Sequence, residues 1–258
     1  MATRISGPAV RRAWRGPLAL LLVGFAVTAS RADDPTPAID TPSDAAARRE
    51  MVEQQLRGRD IVDPRVLAAM TTVPRHRFVP DAERAIAYGD HALPIGRGQT
   101  ISQPYVVALM TQLLALHGGE RVLEVGTGSG YQAAVLGQLA GEIYSVEIDP
   151  VLAEQARTTL AALGARNVHV RAGDGFFGWP EAAPFDAIII TAATPRLPDR
   201  LRDQLREGGR VVVPLERADG ETLAVGTRRG TEVDWTWHGG VRFVPMTGAV
   251  RATPETTH

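Results

Sequence analysis

The sequence predicts an α/β fold, a doubly wound and mostly parallel sheet preceded by a helical extension. Three observations predict it. Residues 121–131 read Arg-Val-Leu-Glu-Val-Gly-Thr-Gly-Ser-Gly-Tyr, an apolar run that stops at alternating glycines before an Ala- and Leu-rich stretch: strand, tight turn and helix. Apolar runs and helical stretches then alternate downstream, the succession that demands parallel strands joined by crossovers. Finally, residues 187–190 (Ala-Ile-Ile-Ile) are apolar at every position, as an internal strand buried on both faces should be. With 258 residues the chain is long enough for one large domain with a sizeable core.

In chain order, Arg11, Arg12 and Arg15 precede an apolar stretch at 18–29, followed by Ser30-Arg31-Ala32 and Asp33-Asp34-Pro35. A basic segment, a short apolar core and small residues before a polar break describe a secretory signal peptide over 1–32, with export to the periplasm or beyond. The core is too short to make a comfortable membrane anchor. The alternative is a cytoplasmic protein with a disordered N-terminus. Residues 33–43, rich in Pro, Asp and Thr, read as a linker. A helix is expected over 44–57 with Ser43 as its cap, a second from the Asp63-Pro64 start toward Met70, and a third, short one over 81–88. Residues 88–102 carry too many glycines and prolines to be regular and read as a functional loop, joined to a helix that opens at Gln103-Pro104. Ser102 beside that opening could serve simply as a helix cap.

After the glycine turn come a helix over 130–139, a strand over 143–147, a helix started by Asp149-Pro150, and a third strand over 167–171. A fourth strand spans 185–191. A helix over 198–205 is ended by Gly208-Gly209, and a fifth strand follows at 211–213. Shorter β segments at 223–227, 232–237 and 241–244 close the sheet, and 249–258 reads as a disordered tail. The main domain is thus 44–248, of which 44–104 forms the helical preface and the loop.

Composition removes several classes. There is no cysteine, hence no disulfide framework, thiol nucleophile or thiolate metal site. The six histidines are scattered without metal-ligand spacing, so no metal is expected. Residues 1–32 carry five arginines and no acid; without those five, 23 basic residues face 29 acidic ones, which argues against nucleic acid as a partner.

The chemistry sits at the ends of the strands. Gly126, Gly128 and Gly130 allow unusual backbone angles and close ligand approach, and the helix start offers unpaired N–H groups. A dinucleotide fingerprint would place its third glycine where Tyr131 stands. Glu124, two residues before the first glycine, would repel a pyrophosphate and favour a cationic ligand. Glu147 closes the second strand, where a carboxylate either accepts both ribose hydroxyls, as in a Rossmann-like fold, or is only a surface charge, with Asp149 as the competing carboxylate. Asp174, between Gly173 and Gly175, either meets an exposed amine or bonds its own backbone in a turn.

The glycine turn resembles the cofactor loop of class I S-adenosylmethionine-dependent methyltransferases. With Val73-Pro74-Arg75-His76-Arg77-Phe78-Val79-Pro80, Leu93-Pro94-Ile95, Gly98-Gln99-Thr100-Ile101-Ser102-Gln103-Pro104 and Gly173-Asp174-Gly175, residues 51–248 resemble protein-L-isoaspartate O-methyltransferases. The resemblance implies S-adenosyl-L-methionine as cofactor and repair of L-isoaspartyl peptides and proteins by methylation of their α-carboxylate. It also implies cofactor contacts from Thr100, Ile101, Glu124, the three glycines, Glu147, Asp174 and Gly175. Ser102 becomes the catalytic-site residue, and Leu93, Pro94, Ile95, Val241 and Phe243 hold the peptide. No stable membrane anchor and a monomer are expected. The alternatives are a class I methyltransferase for small molecules and a non-catalytic S-adenosylmethionine-binding protein; a nicotinamide dehydrogenase is disfavoured by Tyr131.

Overall fold

The computed structural model describes residues 40–252; the expected signal peptide and most of the expected linker lie outside them. Helix α1, Pro42–Met51, starts two residues earlier than expected. Its cap is Thr41, not Ser43: the Thr41 side chain accepts from the Asp44 N–H while the Asp44 carboxylate accepts from the Thr41 N–H, with Pro42 in the first turn. The helix widens into a π-helical segment, Val52–Arg57. Helix α2, Pro64–Thr72, is capped by Asp63 as its sequence predicts. Asp81–Ile86 is a 3₁₀ segment, tighter than the helix expected there.

The loop expected to be irregular is a two-stranded antiparallel hairpin, β1 (Leu93–Gly96) and β2 (Gln99–Ile101), which pairs with no other strand among the described residues. Helix α3, Pro104–Leu113, follows. Then come β3 (Arg121–Val125), α4 (Tyr131–Gly137), β4 (Glu142–Glu147), α5 (Pro150–Ala162), β5 (Val168–Ala172) and β6 (Phe185–Ile190). Helix α6 (Asp199–Gln204) leads into three long strands, β7 (Leu205–Arg217), β8 (Gly220–Arg229) and β9 (Glu232–Val241).

The sheet order is β5-β4-β3-β6-β7-β8-β9, parallel from β5 to β7 and antiparallel at β8 and β9. The chain winds outward from β3 to β5, then crosses to β6 on the other side. The switch point between β3 and β6 therefore leaves a crevice at the strands' carboxyl ends. Alternate residues feed two cores. Val122, Ala187, Ile189 and Val212 pack with the helical preface, while Leu123, Val125, Ile188 and Val211 pack on the opposite face.

Three segments depart from expectation. Gly208-Gly209 does not end α6, because Leu205 is already extended; the glycines form a bulge in β7, whose pairing with β6 jumps from Leu205 to Arg210. Of the strand expected at 241–244, only Val241 belongs to β9. The expected tail begins as a short helix, α7 (Ala249–Ala252), with Val250 buried in the core. Among the described residues no helix is long and apolar enough to cross a membrane.

Candidate active site

The turn after β3 is left-handed at Gly126, Gly128 and Gly130, with φ of 97°, 53° and 90°. At Gly126 a Cβ would fall 2.5 Å from Thr191 Oγ1. That hydroxyl donates to the Val125 carbonyl at 3.0 Å, so the turn is drawn tightly against the end of β6. Glu147, at the end of β4 and 6% exposed, receives the Gly128 N–H on Oε2 at 2.8 Å and the Asp149 N–H on Oε1 at 3.0 Å. These bonds fix its carboxylate, and each oxygen keeps a lone pair for a ligand hydroxyl.

A cavity of about 400 Å³ opens over this turn, with Gly126, Gly128, Glu147, Gly175, Thr100, Ile101 and Ser102 in its wall. That volume falls in the range of small-molecule sites. The charged side chains in its lining are Glu147 and Asp149, with no arginine, lysine or histidine among them. A phosphate would meet only like charge there. A ligand carrying a sulfonium, an ammonium and a ribose meets compatible groups, so the residues fit S-adenosylmethionine.

A larger cavity, about 1270 Å³, shares Thr100, Ser102, Thr191 and Val244 with the first and runs past Val241 and Phe243 at the end of β9. Ser102 thus stands at the border of the two. It caps nothing, since Gln103 holds the N-cap position of α3 without a side-chain bond.

Several expected residues are elsewhere. Glu124 is 0% exposed and absent from the cavity wall. It pairs with Ser145, one full pleat below Glu147 on the same face of the sheet, whereas its neighbour Val125 reaches the cavity. Its carboxyl accepts from Ser145 Oγ, which lies 2.6 Å from Thr127 Oγ1; the other oxygen has no partner. Burial pushes it up to about 8, against the Ser145 bond and with help from nearby Glu147. It is therefore mostly protonated at neutral pH and supplies no full charge to a cationic ligand.

Gly130 is also away from the wall; it starts α4, where a Cβ would stand 3.3 Å from Ala156 and Leu160. Asp174 behaves as the turn reading has it. Its oxygens accept from the Phe176 N–H at 2.9 Å and the Ala249 N–H at 2.7 Å, and Gly175 takes the place on the wall. Leu93, 3% exposed, is a core residue with no face for a peptide. Pro94 is exposed outside both cavities, and Ile95 lies over Gly128. Sequence reasoning missed Thr191 and Gln132. The first carries a strand-end signal that could have revealed it; the second, bonded to Thr111 at 2.8 Å inside α4, carries none.

Residues 46–251 match the family model described as protein-L-isoaspartate(D-aspartate) O-methyltransferase. The chain belongs to this family. A protein-L-isoaspartate O-methyltransferase 2 from Anaeromyxobacter sp. (strain Fw109-5) is 53% identical over 233 residues, 89% of this chain and 95% of the relative. One from Opitutus terrae is 56% identical over 201 residues, 78% of this chain and 86% of the relative. A solved protein-L-isoaspartate O-methyltransferase superposes with a TM-score of 0.73 at 30% identity, covering 78% of this chain and 67% of that one. As a protein-L-isoaspartate O-methyltransferase the chain is an S-adenosylmethionine-dependent enzyme, and the small-molecule and non-catalytic readings are not favoured.

Proposed function

We propose that Ser102 presents the acceptor: its hydroxyl donates to the α-carboxylate of an L-isoaspartyl residue lying in the larger cavity and turns one oxygen toward the smaller. The activity served is the family's, methyl transfer to L-isoaspartyl residues of damaged proteins and peptides. S-adenosylmethionine, when bound, supplies a methyl group made electrophilic by its sulfonium. The carboxylate, with an ordinary pKa near ~4, is already ionised at neutral pH and needs no base. What remains for the chain is alignment and the exclusion of water.

In this reading Glu147 accepts from the ribose hydroxyls, Gly126 and Gly128 let the ligand approach the main chain, and Gly175 with Thr100 and Ile101 completes the wall. Val241 and Phe243 hold the peptide; the Phe243 N–H, donated to Glu221 at 2.6 Å, fixes that bend. The observation that carries the proposal is Ser102 on the wall common to both cavities. Ser102→Ala is expected to lower kcat for an isoaspartyl peptide roughly 10- to 100-fold, with S-adenosylhomocysteine affinity unchanged. An unaltered kcat would refute the role.

We further propose that the chain is exported by residues 1–32 and works as a monomer. Support comes from Arg11, Arg12 and Arg15 ahead of the apolar stretch and the small residues Ser30 and Ala32. N-terminal sequencing of the mature protein should begin near Asp33, and a start at Met1 contradicts export.

A further inference from the structure

The tip of the β1–β2 hairpin is Gly96-Arg97-Gly98, and all three residues are left-handed, with φ of 87°, 55° and 71°. Glycine adopts that region freely; arginine does so only under constraint. The Arg97 Nε donates to the Asp149 carboxylate, 52 residues further along the chain. Asp149 caps α5 and lines the smaller cavity opposite Thr100 and Ile101. Ile95 lies over the glycine turn, where a Cβ built on Gly128 would stand 3.5 Å from its Cδ1. The hairpin, paired among the described residues only with itself, thus places Thr100 and Ile101 on the cavity wall and reaches Asp149, also on that wall, through Arg97. Arg97 is 53% exposed and Asp149 19%, so the pair is one that water and salt can open.

We propose that Arg97 is a cofactor-retaining, positioning residue: its ion pair with Asp149 straps the hairpin across the mouth of the smaller cavity, and donor and product exchange when that pair opens. The proposal rests on the smaller cavity being the S-adenosylmethionine site. Because β2 carries Thr100 and Ile101 and runs directly into Ser102, closing the strap also sets the Ser102 hydroxyl at the border of the two cavities.

The test is the dissociation rate of S-adenosylhomocysteine, followed by displacement with excess S-adenosylmethionine at low and high salt. Arg97→Asn removes the cation while asparagine tolerates the left-handed backbone; Arg97→Lys keeps a cation. Wild type should release product faster as salt rises. Arg97→Asn should release it roughly two- to fivefold faster at low salt with little salt dependence, raising KM for S-adenosylmethionine, and Arg97→Lys should restore part of the difference. An Arg97→Asn rate equal to wild type at both salts, or one faster yet equally salt-dependent, overturns the strap. A wild-type chain that binds no S-adenosylhomocysteine overturns the cofactor site instead.

Discussion

Glu124 and Glu147 end up in different surroundings because they stand at different depths along the sheet. Glu147 is the last residue of its strand and lines the smaller cavity, whereas Glu124 is one step inside the end of β3 and is fully buried. From the sequence both are carboxylates near the glycine turn, and what separates them is depth: Glu124 pairs with Ser145, one full pleat below Glu147 on the same face of the sheet. Glu124 has a stability signature. Unfolded, its proton leaves near the ordinary 4.5; folded, burial holds it to about 8. Between these values the folded chain binds the extra proton, so stability falls as pH rises through that window. Urea melts of wild type should show a loss on the order of a few kcal/mol from pH 5 to 8 that Glu124→Gln largely abolishes; parallel profiles contradict this. At Gly126 the φ of 97° and the 2.5 Å approach of Thr191 leave no room for a side chain. Gly126→Ala is expected to cost roughly 1–3 kcal/mol, seen as lost S-adenosylhomocysteine affinity or lower melting temperature, and calorimetry at wild-type affinity with wild-type melting rules the crowding out.

At the element scale, legibility followed the locality of the signal. Asp63-Pro64 and Asp149-Pro150 announce helix starts within two residues, and both were read correctly. Ser43 was misjudged because Thr41 lies two residues upstream with Asp44 placed to return its bond, a reciprocal pair that a single capping residue does not reveal. Thr41→Ala should therefore cost about 1 kcal/mol in denaturant melts while Ser43→Ala costs almost nothing; the reverse order would restore Ser43 as the cap. The β1–β2 hairpin was hidden by its glycines, which read as irregular backbone yet supply the left-handed tip. The Gly208-Gly209 bulge was hidden likewise, since a glycine pair after a helix looks the same whether it stops the helix or bends the following strand. The resemblance assigns Leu93 to the peptide, and nothing local tells a buried leucine from one that greets a ligand.

For the whole molecule, the fold was legible because strands buried on both faces leave continuous apolar runs, and their order forces a switch point. The crevice at that point collects Gly126, Glu147 and Gly175 from three separate strand ends, and the hairpin closes it with Ser102 at its border. What the sequence could not show is the second cavity, which depends on how β9 and residues 241–244 pass beside α3. The two cavities meeting at Ser102, beside Thr100, Thr191 and Val244, make the central claim directly measurable. Purified protein, labelled S-adenosylmethionine and a pair of peptides differing only in an L-isoaspartyl or an ordinary aspartyl linkage suffice: the account predicts base-labile methyl label on the isoaspartyl peptide alone. Equal labelling of both, or none from protein that still binds S-adenosylhomocysteine, would contradict it.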